Sequence, residues 1–125
     1  MLIFYPLDLN NIWCYIMSSY IELWDAREVL DLISKGALII DVRLEAAYAK
    51  EHIPGAINIP LKNLEERIEE LPRDKPIIVY CTNVDCETSH MAALKLTSLG
   101  FKNIYRFRPG VKGWEAQGHP VEKSL

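Results

Sequence analysis

The chain has 125 residues, half of them apolar and a quarter charged, with 14 Lys plus Arg against 17 Asp plus Glu and a net charge of −3. That length is one domain, large enough to bury a core without disulfide or metal staples. A slightly acidic balance with no basic cluster speaks against nucleic-acid partners and against electrostatic binding to an anionic membrane. Three cysteines, Cys14, Cys81 and Cys86, are an odd and sparse set, unlike a secreted disulfide framework, so the expected compartment is a reducing cytoplasm.

Residues 1 to 24 hold half of the aromatic residues, with Phe4, Tyr5, Trp13, Tyr15, Tyr20 and Trp24 among aliphatics. Pro6, Asp8, Asn10 and Asn11 interrupt the run before it reaches the length of a membrane span, and neither a basic start nor a small-residue cleavage site marks a secretory signal. Residues 1–18 therefore read as an apolar, aromatic extension that packs on the domain or across a dimer contact. A start assigned too early, with Met17 as the true one, is the other reading. Residues 19–125 form the expected domain. No membrane association is expected, and the oligomeric state is left open.

Asp25-Ala-Arg-Glu28 has a capping-box arrangement, followed by Val29, Leu30 and Ile33 at helical spacing until Gly36. Leu38-Ile39-Ile40 is a short apolar run that predicts a strand buried on both faces, with Asp41-Val42-Arg43 at its carboxyl end. Ala56-Ile57-Asn58-Ile59 predicts a second strand. Leu61, Leu64, Ile68 and Leu71 step along a helix that Pro72 ends. Ile77-Ile78-Val79-Tyr80 is the clearest buried strand, and Cys81 stands at its end. Met91 to Leu99 predicts a helix stopped by Gly100, and residues 103–107 a last strand. Strands alternating with helices imply a mostly parallel sheet covered on both faces, with its site at the carboxyl ends of the strands.

A strand, a polar loop and a helix place backbone amides and a helix amino terminus against whatever ends the strand. Cys81 is so placed, and a thiolate there would gain amide hydrogen bonds and roughly 0.3–1 kcal/mol from the helix dipole, which lowers its pKa. The competing reading is a small buried hydrophobe. The loop Thr82-Asn83-Val84-Asp85-Cys86-Glu87-Thr88-Ser89-His90 holds two carboxylates and no Lys or Arg, so its charge opposes a thiolate. Which effect wins depends on where those side chains point. Cys86, five residues after Cys81, is a candidate resolving thiol if the loop folds back, and an unpaired surface cysteine if it does not. Two cysteines and His90 fall short of a four-ligand metal site, and neither metal nor cofactor is expected. His90 and His119 read as helix-start and tail residues, and Phe107 and Trp114 as core or wall.

Over residues 25 to 121 the chain resembles the rhodanese-like sulfurtransferase family. Asp41-Val-Arg43, Glu45-Ala-Ala-Tyr48, His52-Ile-Pro-Gly55-Ala-Ile-Asn58-Ile-Pro60, Tyr80-Cys81, Gly100-Phe-Lys-Asn103-Ile-Tyr105 and Gly110-Val-Lys-Gly-Trp114 are similar to the family's motifs, in order. The resemblance implies a three-layer α/β domain with a five-stranded, mostly parallel sheet flanked by helices. It also implies that Cys81 accepts sulfane sulfur as a persulfide and passes it to a thiophilic acceptor. In that reading Thr82, Asn83, Val84, Asp85, Cys86, Glu87, Thr88 and Ser89 cradle the sulfur and bind substrate. Ser89 matches the serine that opens the next helix, and Arg43 matches an arginine near the substrate's anionic end, or else forms a structural ion pair. The partners implied are a sulfane-sulfur donor and a thiol acceptor, small molecule or protein.

Four departures bear on the substrate. Typical single-domain members place serine six residues after cysteine, whereas Ser89 lies eight after Cys81. Thr88 stands where arginine would be, the loop has no glycine, and Pro109 replaces the first glycine of a usual pair. A dianion such as thiosulfate would meet Asp85 and Glu87 with no loop cation, so a less charged donor is expected. Without the loop arginine that grips phosphate, phosphatase chemistry is not expected. Two alternatives to sulfur transfer are a redox module using Cys81 with Cys86 and a catalytically silent binding domain.

Overall fold

The computed structural model describes residues 20–124, so the extension at 1–18, the proposed start at Met17 and Cys14 lie outside the described residues. The elements in order are β1 (Ile21–Leu23), α1 (Ala26–Ser34), β2 (Leu38–Asp41), α2 (Glu45–Lys50), β3 (Ile57–Asn58), two 3₁₀ segments (Leu61–Asn63 and Glu65–Glu70), β4 (Ile77–Tyr80), α3 (Thr88–Ser98), β5 (Ile104–Phe107) and α4 (Gly110–Ala116). The five strands form one sheet in the order β1-β5-β4-β2-β3, and every pair is parallel.

Side-chain alternation divides this sheet into two cores. Ile77 and Val79 of β4, Ile40 of β2 and Ile104 of β5 face α3 and the 3₁₀ segments, packing with Leu64, Ala92, Ala93 and Leu96. Ile78, Tyr80, Ile39 and Phe107 face the other way, against Val29 of α1 and Val111 and Trp114 of α4. All four residues of β4 are fully buried, as expected of a central strand covered on both faces. Its next residue, Cys81, keeps the parity of Ile77 and Val79, so its side chain falls on the α3 side.

The predicted helix over Leu61 to Leu71 is two 3₁₀ segments, because the apolar steps Leu61 to Leu64 and Ile68 to Leu71 have the three-residue period of that geometry. The strand β1 carries only Ile21, Glu22 and Leu23, too few for periodicity to mark, and it pairs with β5 at the sheet edge. Asp25 caps α1 by accepting the Arg27 N–H at 2.8 Å. The remaining N-terminal donor, Ala26 N–H, goes to Gln117 Oε1 at 2.7 Å, which ties α1 to the end of α4. Among the described residues no helix is long and apolar enough to cross a membrane.

Candidate active site

Three elements hold the end of β4. The first backbone N–H groups of α4 turn onto it, with Val111 donating to the Cys81 carbonyl and Lys112 to the Thr82 carbonyl, both at 3.0 Å. This approach needs Gly110, whose φ is 67° and where a Cβ would stand 2.5 Å from the Cys81 oxygen. On the other side, α3 begins at Thr88, and Ser89 N–H donates to Cys81 Sγ at 3.4 Å, with Ser89 Oγ at 3.2 Å. The predicted helix began later, at Met91, because Thr88-Ser89-His90 reads as polar loop. Its first turn is folded down by burial of Ser89 against the thiol.

The third element supplies a residue that sequence reasoning missed. Arg106 of β5 is 2% exposed. Its Nε donates to Ser89 Oγ at 2.9 Å, Nη2 to the Cys86 carbonyl at 2.9 Å, and Nη1 to Glu22 of β1 at 3.1 Å. The loop thus lacks its own cation but sits over one provided by the sheet. A signal existed: Arg106 has the parity of Ile104 and stands in register with Val79, so it must point to the Cys81 side. With one Ser89 oxygen lone pair taken by Arg106, the serine hydroxyl proton is free to be donated to a sulfur anion on Cys81.

The two thiols are unequal. Cys81 has no exposed surface, and burial, then a hydrogen bond shared with Cys86, push its pKa up to about 11 against the opposing pull of the Ser89 hydroxyl and amide. Cys86 is partly buried, which opposes ionisation, yet its pKa is lowered. Hydrogen bonds from Cys81 and the Thr88 hydroxyl, with the backbone amides of Thr82 and Thr88, outweigh that burial. Of the expected amide cradle, Cys81 receives the amide of Ser89. The rise at Cys81 comes chiefly from burial, whereas Asp85 and Glu87, on which the sequence reading placed the opposing charge, are exposed to solvent.

A pocket of about 410 Å³ opens beside the loop, walled by Val42, Leu44, Ala47, Pro60 and Leu61, with Thr82, Cys86 and Thr88 forming the loop side. Of the predicted site residues, these three and Arg43 line it. Asn83, Val84, Asp85 and Glu87 are exposed on the outward side, with the Asn83 side chain and carbonyl taking the Asp85 and Cys86 N–H groups at 3.1 Å each. Ser89 lies behind the thiols. Arg43 is committed to the fully buried Asp41 carboxylate at 2.8 Å and to the Glu51 carbonyl, which is the ion-pair arrangement. Lys62, also missed from the sequence, lines the pocket with no ion-pair partner among the described residues. His90 shares a 2.6 Å hydrogen bond with Tyr20, and no cluster of three potential metal ligands occurs among the described residues.

The other motif residues are scaffold. Asn58 donates to the Asp41 and Arg43 carbonyls at 3.0 and 2.9 Å, fixing the end of β2. Tyr48 stacks on His52 at 3.8 Å and donates to the Ala56 carbonyl at 2.6 Å. Phe107 and Trp114 meet edge to face in the second core, as expected of core residues.

A parallel sheet whose central strand ends in a thiol, wrapped by a loop that leads into a helix, defines an α/β domain built around a cysteine. The chain belongs to the rhodanese-like domain family, whose pattern matches residues 25–117. A Coxiella burnetii protein named thiosulfate sulfurtransferase GlpE is 32% identical over 107 residues, covering 86% of this chain and 92% of that protein. Among solved structures, BH2092 from Bacillus halodurans aligns with a TM-score of 0.73 and 29% identity, over 97% of this chain and 88% of that one. A thiosulfate sulfurtransferase from Pseudomonas aeruginosa aligns at 0.74 and 29%, over 85% of this chain and 21% of that one.

Proposed function

We propose that this protein is a sulfurtransferase that carries sulfane sulfur as a persulfide on Cys81 and passes it to a thiophilic acceptor. The observation that carries this reading is the set of groups converging on Cys81 Sγ: the Ser89 amide and hydroxyl, the latter fixed by the buried Arg106. A terminal persulfide sulfur ionises more readily than a thiol, so donors that reach a persulfide anion favour the loaded state over the free thiol. The relatives' names point to thiosulfate. This pocket is mostly apolar, Arg43 is neutralised by Asp41, and Lys62 alone offers free positive charge among its lining residues. Those features suit an uncharged or singly charged donor, such as a polysulfide or the persulfide of a small thiol, better than a dianion.

The test is to incubate the reduced protein with thiosulfate and with polysulfide, measure intact mass, and map any added 32 Da. Gain on Cys81 from polysulfide and much less from thiosulfate is the expected result. No gain from either donor would overturn the reading and leave a silent binding domain, which the high pKa of Cys81 fits. A second reading rests on the nearness of the two cysteines, the Cys81 thiol donating to the Cys86 carbonyl at 3.5 Å: a redox module that forms a Cys81–Cys86 disulfide. Loss of 2 Da without sulfur gain would favour it.

A further inference from the structure

We infer that Cys86 meets the sulfur donor first and that sulfane sulfur then passes from Cys86 to Cys81 inside the loop. This rests on the sulfurtransferase reading and assigns Cys86 a catalytic role opposite to that of a resolving thiol. The geometry that carries it is the order of the two sulfurs from solvent inward. Cys86 lines the pocket together with Thr82 and Thr88, whereas Cys81 has no exposed surface and is closed over by Ser89 and the Cys86 carbonyl. Displacement at sulfur needs the nucleophile, the transferred sulfur and the leaving group nearly in line. A donor in the pocket can present that line to Cys86, and meets Cys86 before it meets Cys81.

The surroundings of the outer thiol fit a nucleophile. The neighbouring Cys81 thiol, Thr88 hydroxyl and amides of Thr82 and Thr88 lower its pKa in spite of partial burial, so Cys86 takes its anionic form more readily than Cys81. The inner thiol donates to the Cys86 carbonyl at 3.5 Å, which keeps the two cysteines side by side in the fold.

Two displacements follow, neither needing an oxidant or reductant. In the first, the Cys86 thiolate attacks the outer sulfur of a persulfide R–S–SH. The bond between R–S and that sulfur breaks, a Cys86 Sγ–S bond forms, and R–S⁻ leaves with the electron pair, giving Cys86–S–SH. In the second, Cys81 Sγ attacks the terminal sulfur of Cys86–S–SH. The Cys86 Sγ–S bond breaks as the Cys81 Sγ–S bond forms, and the proton lost by Cys81 ends on Cys86 Sγ. The products are Cys81–S–SH and a Cys86 thiol, and the Ser89 hydroxyl and amide are then placed to hold the loaded side chain.

The probe is glutathione persulfide, mixed with the reduced protein at equal concentration, quenched by alkylation over a time course and mapped by peptide mass. In the unaltered protein, 32 Da is expected on Cys86 first and then on Cys81 as the Cys86 signal falls. Cys81→Ser should still load Cys86 and stop there, while Cys86→Ser should load Cys81 about tenfold more slowly or worse. Label on Cys81 before Cys86 overturns the relay and leaves the sulfurtransferase reading intact. So does normal loading of Cys86→Ser combined with none on Cys81→Ser. A Cys81–Cys86 disulfide with release of hydrosulfide, and no persulfide on Cys81, overturns it in favour of the redox pair. No added sulfur on any cysteine overturns relay and sulfur transfer together. The time course of the unaltered protein gives the order of loading without depending on any variant folding.

Discussion

Arg106 links three parts of the site through one side chain. It fixes the Ser89 hydroxyl, pins the Cys86 carbonyl and answers the Glu22 carboxylate. Arg106→Met leaves these groups without their shared donor, and we expect a loss of about 2–4 kcal/mol in urea unfolding, discounted because Glu22 is partly exposed. A merely structural role would stop there. A positioning role predicts more: the pH at which Cys81 becomes reactive to iodoacetamide should move up in Arg106→Met and in Ser89→Ala. The double variant should move little beyond either, because both act through the same hydroxyl. In the unaltered protein, peptide mapping across a pH series should show Cys86 alkylated at lower pH than Cys81. The two thiols also act oppositely on stability. The pKa of Cys81 is raised from 9.0 to about 11, so its contribution is full below pH 9 and is lost as the pH climbs through about 11. That of Cys86 is lowered, so its contribution is present above the ordinary thiol range and is lost as the pH falls through its folded value. Urea midpoints measured from pH 8 to 11 should therefore fall less steeply for Cys81→Ser than for the unaltered protein.

Among the elements, α4 matters to the site out of proportion to its length. Gly110 and Gly118 both have positive φ, but a Cβ at Gly110 would strike the Cys81 and Thr82 backbone, whereas nothing lies within 4 Å at Gly118. Gly118→Ala should cost roughly 1–2 kcal/mol, the ordinary penalty of a left-handed residue. Gly110→Ala should cost clearly more and also slow sulfur loading, since its neighbours Val111 and Lys112 hold the carbonyls on either side of the reactive bend. Urea midpoints and the persulfidation assay separate the two effects. Central strands were legible in the sequence because burial on both faces leaves an unbroken apolar run, as in Ile77 to Tyr80. The first turn of α3 was not, because Ser89 is buried by contact with a residue distant in sequence. Nor was β1, whose identity as a strand depends on its pairing with β5. Cys81 could be located from its place at a strand end. Its thiol's high pKa could not, because burial and the turn of Cys86 toward it arise only in three dimensions. Arg106 was within reach of strand parity, and the outward set of Asp85 and Glu87 was not.

The whole molecule is organised by a sheet with a separate core on each face, and the site belongs to only one of them. Leu96 packs on the α3 side and Val29 on the α1 side. Leu96→Ala should cost about 2–5 kcal/mol. Combined with Val29→Ala, the losses should add within about 0.5 kcal/mol, because the sheet separates the two cavities. Unfolding should remain one transition by far-ultraviolet dichroism and by tryptophan fluorescence, since both cores lean on the same strands. The motifs that carry the family resemblance mostly serve this shared framework: Asp41 with Arg43, Asn58, and Tyr48 with His52 knit strand ends together. The loop has little such duty. Its two ends are clamped, by α4 at Cys81 and Thr82 and by the first turn of α3 at Ser89, while Asn83, Val84 and Asp85 bow outward into water. Lengthening such a tethered arch by two residues costs well under the roughly 0.6 kcal/mol of doubling a loop. The arch is consequently an exchangeable cassette. Evolution, or a designer grafting residues 82–87 from a relative, can exchange Cys86 and its neighbours while the framework that presents Cys81 is inherited unchanged.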